Sequence, residues 1–452
     1  MPEKHPKRPN ILFLMSDEHR YDVAGYTGNE VVRTPFLDWL ADTGVVFDNA
    51  YCAAPQCIPG RQALMTGCLP ARSGCTRWAE DIEPFSMTFA KRFAQYAYHT
   101  VCCGKLHHMS PDQMQGWTQR PSGDCKVYDP HIDGRVVEEF ARYTPEAGIG
   151  KWDNQTEIER AGVGDSWLLR FDRRACLAAH DYVIDHFCSP DHDKTQHHRP
   201  LLLKLSLLAP HYPYQIDEAR FNYYINRVPI YEEARCDHPR LSRTQYGADV
   251  QATTRDIRRT TAAYYGMIEN IDTQYSQIAD QLAQVGEDLD DWIIVYTSDH
   301  GEMLGQHGIW EKTQFYEASV RVPLIIRWPK GFAGGRRINE NVSLCDLFAT
   351  LCDLSGIPMP ENTDSRSLAP LLRGDALTWD NVVISQLGDD YMVKKDHLKL
   401  IDFSDRFPAV LFDLKQDPHE NHNVIDDPAY ATALGELKER LHDYRSLSHT
   451  TP

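Results

Sequence analysis

The chain has 452 residues, 42% of them hydrophobic, enough to bury a large core and expected to form one big domain with a smaller one appended. Its 65 acidic against 47 basic side chains leave a formal net charge of −18. That balance argues against nucleic acid and anionic membranes as general partners, and it requires any anion pocket to be locally basic.

Short continuous apolar runs alternate with helix-like stretches, the pattern of an α/β protein with a mainly parallel central sheet flanked by helices. The first run, residues 11–15, is followed at once by Ser16, Asp17 and Glu18. Thr34 and Pro35 read as the N-cap and first position of a helix. Cys57 then stands just ahead of a second helix start, with Pro59 in the first turn, Arg61 to Met65 continuing and Gly67 closing. A helix N-terminus favours an anion, so a reactive thiolate suits the place. No resolving cysteine or base partner is assignable from sequence, so the residues leave a thiol nucleophile and the precursor of another group both open.

The run 100–103 leads into Gly104, Lys105, Leu106 and His107, and its Cys102 and Cys103 read as buried strand residues. The run 201–208 leads into Ala209, Pro210 and His211. Residues 260–285 form an amphipathic helix. The run 292–297 leads into Ser298, Asp299 and His300, with His307 and Lys312 shortly after, and 322–328 is the last run of this kind. Regions 120–200 and 212–260 read as irregular, polar and rich in His, Arg and Tyr, and are expected to be insertions shaping a mouth. The expected division is a catalytic domain over 1–374 and a C-terminal unit over 375–452. The latter holds short strands at 391–393, 398–401 and 410–414, a small antiparallel sheet, and a closing helix at 431–444.

In an open parallel sheet, ligands gather beyond the carboxyl ends of the strands. Four run ends here deliver carboxylates, imidazoles and an ammonium to one rim. Asp17, Asp299 and His300, with Glu18, make a candidate site for one divalent cation; the oxygen ligands suit Ca²⁺ or Mg²⁺, the imidazole Mn²⁺ or a softer ion. Lys105, His107, His211 and Lys312 suit the other side of a bound oxyanion. Each residue alone also reads as a helix cap, a rim residue or a core histidine; the set at four strand ends is what points to a site. The His-rich run 191–198 reads as a solvated loop. Trp117, Trp152, Trp167, Tyr212 and Tyr214 suit stacking on a sugar or caging a quaternary ammonium, and equally suit local cores.

Cys57-Ile58-Pro59-Gly60-Arg61 matches the Cys-x-Pro-x-Arg signature of the type I sulfatases, and the sequence resembles that family over most of its length. The shared landmarks include residues 9–17, 34–38, 104–107, 297–302, 321–324 and 411–414 with Asp417 and Pro418; the two insertions carry none. The Asp299-His300 pair and residues 104–113 look closest to the choline-sulfatase-like and iduronate-sulfatase-like branches. Gly60 stands where serine is commoner, and Glu18 where many members carry aspartate and others glutamine.

The resemblance implies an alkaline-phosphatase-like α/β sandwich and a maturase that oxidises Cys57 to formylglycine (3-oxoalanine). It implies one divalent cation, usually Ca²⁺, at Asp17, Glu18, residue 57, Asp299 and His300. The implied reaction is hydrolysis of a sulfate ester of a sulfated carbohydrate or small alcohol, releasing the alcohol and inorganic sulfate. One hydroxyl of the hydrated aldehyde would attack sulfur and the other would drive sulfate release. By the same resemblance Arg61 orients the formylglycine and Lys105 and Lys312 bind sulfate oxygens. His211 and His307 face the pocket, and either His107 or His211 protonates the leaving alcohol. A formylglycine-dependent phosphonate monoester or phosphodiester hydrolase is the alternative on the same fold; a non-catalytic sulfated-glycan-binding protein is a further one. A two-zinc phosphatase would need threonine or serine at position 57. A homo-oligomer is compatible with all of these. No run spans a bilayer or has signal-peptide length, which gives a cytoplasmic expectation, or a periplasmic or secreted one if a leader has been removed.

Overall fold

The computed structural model describes residues 8–129, 135–138, 154–189, 199–231, 233, 235–243, 250–375 and 378–447. Trp152 and the His-rich run 191–198 lie outside the described residues. The central sheet has eight strands. They are β1 (Asn10–Asp17), β2 (Val45–Tyr51), β3 (His99–Gly104), β4 (Leu201–Pro210), β5 (Trp292–Ser298), β6 (Arg321–Val322), β7 (Leu324–Arg327) and β8 (Arg336–Ser343). β3, β4, β1 and β5 lie side by side in parallel. β7 runs antiparallel to both β5 and β2, and β8 is parallel to β2 at the far edge. The carboxyl ends of β1 to β5 therefore share one rim.

Both faces of the sheet are buried, which is why β1 reads as an unbroken apolar run. Its side chains alternate between two cores: Leu12 and Leu14 face one, and Ile11, Phe13 and Met15 face the other. Two long helices cover the first core, α3 (Trp167–Cys188) and α4 (Thr254–Gln284), together with α1 (Pro35–Thr43). The second core is covered by α2 (Cys57–Thr66) and the C-terminal sheet.

Several sequence expectations need adjustment. Residues 322–328 are not one strand: Pro323 supplies no ladder N–H and separates β6 from β7, both antiparallel to β2. α4 begins six residues before the expected 260, because Thr253 and Asp256 form a reciprocal capping box. The region 120–200 is not irregular throughout. α3 buries Leu168, Phe171, Ala175, Ala179 and Val183 against the sheet, one residue per turn.

The C-terminal chain forms a four-stranded antiparallel sheet of β9 (Val382–Leu387), β10 (Asp390–Lys395), β11 (Leu398–Asp402) and β12 (Val410–Asp413). It is packed on both faces. Met392, Ile401 and Phe412 join the core of the main sheet, while Val393, Leu400 and Leu411 meet Leu437 and Leu441 of α5 (Ala431–Leu447). The junction holds a buried charge cluster. Lys399 of β11 donates to Glu317 Oε1 (3.0 Å) and to the Phe315 carbonyl (2.8 Å), and contacts Glu420. Tyr51 donates to Glu317 Oε2 (2.9 Å). The segment this cluster fixes, 315–317, comes shortly after Lys312.

Among the described residues no helix is long and apolar enough to cross a membrane.

Candidate active site

Five strand ends converge on one buried cluster. β1 ends in Asp17, and the chain turns through Glu18 with φ at 68°. That left-handed conformation costs a non-glycine residue on the order of 1 kcal/mol and persists where neighbours over-determine it. Here the Glu18 N–H donates to Asp299 Oδ1 (3.1 Å) and its carbonyl accepts from the Tyr264 hydroxyl (2.6 Å).

β2, a strand whose polar Asp48 and Asn49 hid it from the sequence reading, leads through residues 52–56 into α2. Cys57 is the first residue of that helix, not just ahead of it, with Gln56 as the extended N-cap. Pro59 then sits in the first turn, where its missing N–H costs no intrahelical bond. Arg61 is one turn on from Cys57 and lies on the same face, which gives the Cys-x-Pro-x-Arg spacing its geometry. The absence of a side chain at Gly60 lets this turn approach the backbone of Asp299. A Cβ there would stand 2.9 Å from the Ala54 carbonyl oxygen and 3.3 Å from that of Asp299.

Arg61 is the hub. Its Nε donates to Asp299 Oδ2 (2.7 Å), and Nη1 donates to Ser206 Oγ (2.9 Å) and the Lys105 carbonyl (3.1 Å). Nη2 lies 3.5 Å from Asp17 Oδ2. Lys105, just past β3, contacts Asp17 through its ammonium. His107 also has positive φ (67°), and Asp124 Oδ2 holds it by accepting from the N–H groups of Leu106 (3.0 Å) and His107 (2.7 Å).

Beyond β5, His300 Nδ1 lies 3.0 Å from the Gly301 carbonyl oxygen, which places the ring proton there. Its other nitrogen faces Cys57 Sγ (3.1 Å), Asp17 Oδ1 (3.6 Å) and Asp299 Oδ1 (3.7 Å). Cys57 Sγ is also 3.6 Å from Asp17 Oδ1. Beyond β4, His211 Nδ1 lies 2.7 Å from the Tyr212 carbonyl oxygen, so its Nε2 is the acceptor for the Lys312 ammonium at 2.9 Å. Lys312 also donates to Glu18 Oε2 (2.8 Å), which stands 3.5 Å from His211 Nε2.

Charge arrangement follows from burial and neighbours. Burial, the largest single influence, opposes ionisation of Asp17, but Lys105, His211, Arg61 and His300 together outweigh it, so its carboxyl is held well below the usual range. Burial and Asp17 both disfavour a Cys57 thiolate, yet Lys105, His300 and Lys312 together pull the thiol below its ordinary value. Burial opposes a charged His300 ring, and Asp299 and Cys57 raise it nonetheless. His211 is held well below the usual histidine range by burial and by Lys312. The cluster as a whole draws positive charge to the carboxylate side.

That is also the side a cation would take. The candidate donor atoms of Asp17, Cys57, Asp299 and His300 lie within 4.8 Å of one another, all buried. Two carboxylates and an inward-facing imidazole nitrogen beside residue 57 fit one divalent cation of oxygen-preferring type. Glu18 is not in that group. Its donor atoms gather with Asp17 and His211 instead, one oxygen is taken by Lys312, and Oε1 is buried with no hydrogen-bond partner among the described residues.

His307 is not brought to this cluster. Its ring stacks on Tyr316 at 4.3 Å and its Nε2 meets the His419 carbonyl oxygen (2.9 Å), under the C-terminal unit. Trp117 packs edge-on against Phe89 and is core. Tyr212 is at the site, with the Lys312 ammonium 4.8 Å from its ring centroid. Sequence reasoning assigned no role to Ser206, Asp124 or Glu302. Glu302 shapes the loop that carries Lys312: its Oε1 accepts from the N–H groups of Leu304 (2.8 Å) and Glu311 (2.7 Å), and Oε2 accepts from Tyr214 (3.0 Å).

Comparison with known proteins adds family context. The family described as "Sulfatase" matches residues 9–357, and "N-sulphoglucosamine sulphohydrolase, C-terminal" matches residues 305–447. An arylsulfatase of Clostridium perfringens is 29% identical, covering 96% of this chain and 94% of its own. A choline-sulfatase of Rhizobium meliloti is 28% identical (93% and 83% covered), and an N-acetylglucosamine-6-O-sulfatase of Bacteroides thetaiotaomicron is 27% identical (98% and 87% covered). In fold, the chain is similar to a phosphonate monoester hydrolase of Agrobacterium radiobacter, with a TM-score of 0.77 at 24% identity, covering 98% of this chain and 96% of that one. A protein solved with its substrate D-glucosamine-2-N,6-O-disulfate gives a TM-score of 0.75 at 21% identity, with 98% of each chain covered.

Proposed function

The chain belongs to the sulfatase family and is a sulfuric ester hydrolase, and from that premise we propose that it works through formylglycine made from Cys57 by a maturase, with one divalent cation, Ca²⁺ by family habit. The observation that supports this most directly is the position of residue 57 itself. It is the first residue of α2, faces His300 and Asp17, and is overlooked by the cations of Lys105 and Lys312.

A hydrated aldehyde at residue 57 supplies one hydroxyl to receive the sulfuryl group and a second to release it. A cation held by Asp17, Asp299 and His300 would withdraw charge from the reacting oxygens. The remaining work falls to fixed side chains. Lys105 and Lys312 bind sulfate oxygens and stabilise the charge that develops on them, in a protein whose overall charge repels anions. Arg61 locks Asp299 and Ser206 while spanning to the Lys105 carbonyl, so nucleophile, metal ligands and anion clamp move as one body. The Lys312–His211 pair is already linked by a hydrogen bond, and it is the group we assign to protonate the leaving alcohol. His107, anchored through its backbone to Asp124, is assigned to the pocket wall.

His211→Asn should lower kcat by roughly 10²-fold or more on an alkyl sulfate, whose leaving group needs a proton. It should cost far less on 4-nitrophenyl sulfate, whose phenolate leaves unaided. Equal losses on both substrates would move the acid role elsewhere.

Sulfated carbohydrates and small sulfated alcohols are the proposed substrates, in line with the names of the similar N-acetylglucosamine-6-O-sulfatase and choline-sulfatase. The test is release of inorganic sulfate from an ester panel, with phenylphosphonate monoesters alongside. Turnover of sulfate esters that falls at least ~10-fold on chelation and returns with Ca²⁺ is the expected result. Turnover of the phosphonates alone would favour the phosphonate monoester reading instead.

A further inference from the structure

A cavity of about 660 Å³ opens beside the candidate active site, lined by Arg77, Trp78, Arg240, Arg243, Arg406 and Phe407. It touches the site at two points. Gln56, which also lines it, immediately precedes Cys57, and Arg240 donates to the carbonyl of Thr313 (3.2 Å), the residue after Lys312. The Arg243 carbonyl accepts from the Gln314 amide, which ties this wall to the same segment. The cavity thus adjoins the segments that carry residue 57 and Lys312, and its volume is that of a small-ligand pocket.

Its charge is opposite to that of the molecule. Four guanidinium groups face two carboxylates, Asp389 and Asp390. Asp390 is shared by Arg240 (2.9 Å) and Arg406, and Asp389 is paired with Arg77 (2.6 Å). Arg243 pairs with no carboxylate among the described residues and is exposed. The cavity therefore carries a local excess of two positive charges in a chain with a formal net charge of −18. Trp78, 43% exposed for so large a ring, and Phe407 add flat apolar surface. An aromatic face beside planar, bidentate cation donors is the equipment for a ring that carries an anionic substituent.

We propose that this cavity is the leaving-group subsite, and that it selects a ring bearing a second anionic group, a carboxylate or a second sulfate, with Arg243 as its principal contact. The proposal rests on the sulfatase reading above. It distinguishes the substrate class from neutral sulfated sugars and from choline sulfate, whose cationic group this wall would repel.

The test compares substrate pairs that differ by one charge: 3-carboxyphenyl against 3-carbamoylphenyl sulfate, and glucosamine 2-N,6-O-disulfate against N-acetylglucosamine 6-sulfate. The enzyme should favour the doubly anionic member of at least one pair by ~10-fold or more in kcat/KM, mainly through KM, and the preference should shrink as salt is raised. Arg243→Gln should bring that ratio towards one, and Arg243→Glu should invert it. Equal turnover of both members of both pairs, or a preference untouched in both variants, would overturn the subsite while leaving the sulfatase reading intact. Sulfate release from none of the four but from other esters of the panel would also overturn the subsite, whereas release from no ester of the panel by protein with a converted residue 57 would instead defeat the sulfatase reading.

Discussion

Cys57→Ala should abolish sulfate release, by a factor on the order of 10⁴ or more, while the protein folds and melts as before. The side chain is small, 4% exposed, and makes no bond that the fold depends on; its neighbours Asp17, His300 and Lys105 keep Arg61, Asp299 and one another as partners. What the alanine removes is the group at the first position of α2 to which the proposed mechanism gives the sulfuryl group. Cys57→Ser sharpens the test. A serine hydroxyl can accept the group but has no second hydroxyl to expel it, so one equivalent of alcohol should appear without continuing turnover. Steady-state activity in either variant, with no residual parent enzyme, would contradict the assignment.

Lys399→Met should cost about 3–5 kcal/mol of stability near neutral pH, because it strips the cation from two buried carboxylates. Burial, the largest single influence, pushes Glu317 up, but Lys399, Lys394 and Arg321 together outweigh it and hold it down to about 2. Burial, with Glu317 nearby, pushes Glu420 up to about 7 despite Lys399. The two groups act on stability with opposite sign. Glu317, depressed below its ordinary 4.5, contributes stability that is present above 4.5 and lost as pH falls through about 2. Glu420, raised above 4.5, contributes stability that is present below 4.5 and lost as pH rises through about 7. Without Lys399 both carboxylates are easier to bury as acids than as anions. The gap between parent and variant in urea or thermal unfolding should therefore widen from about pH 5 to about pH 8. A gap below ~1 kcal/mol, or one that does not change with pH, would show that the cluster is not what docks the C-terminal sheet.

The apolar runs of β1, β3, β4 and β5 were legible because a strand buried on both faces must be apolar throughout, and the residues following each run were the ones that meet in space. β2 and β8 were not legible: Asp48, Asn49, Asn339 and Glu340 break the run, although β2 is the strand that delivers Cys57. α3 carries a helical period at Leu168, Phe171, Ala175, Ala179 and Val183 that the many charged residues around it obscured. At the site, Asp17, Cys57, Arg61, Lys105, His211, Asp299, His300 and Lys312 share one cluster, whereas His307, drawn in by its place between Glu302 and Lys312, packs against Tyr316. Only the fold shows that the 302–312 loop turns back on Glu302 and brings Lys312, not His307, to Glu18 and His211 in the buried cluster. Ser206 and Asp124 were invisible for a related reason: a lone hydroxyl in a strand and a lone carboxylate in a loop acquire meaning from Arg61 and from the backbone at His107, far away in sequence.

Peptide mass spectrometry of residues 34–61 from active protein bears most directly on the central claim. This tryptic fragment holds two cysteines, Cys52 and Cys57. The expected spectrum shows residue 57 as an aldehyde, lighter by the exchange of thiol and hydrogen for a carbonyl oxygen, and shows alkylation at Cys52 alone. A fully active preparation in which both cysteines take up the alkylating reagent would contradict it.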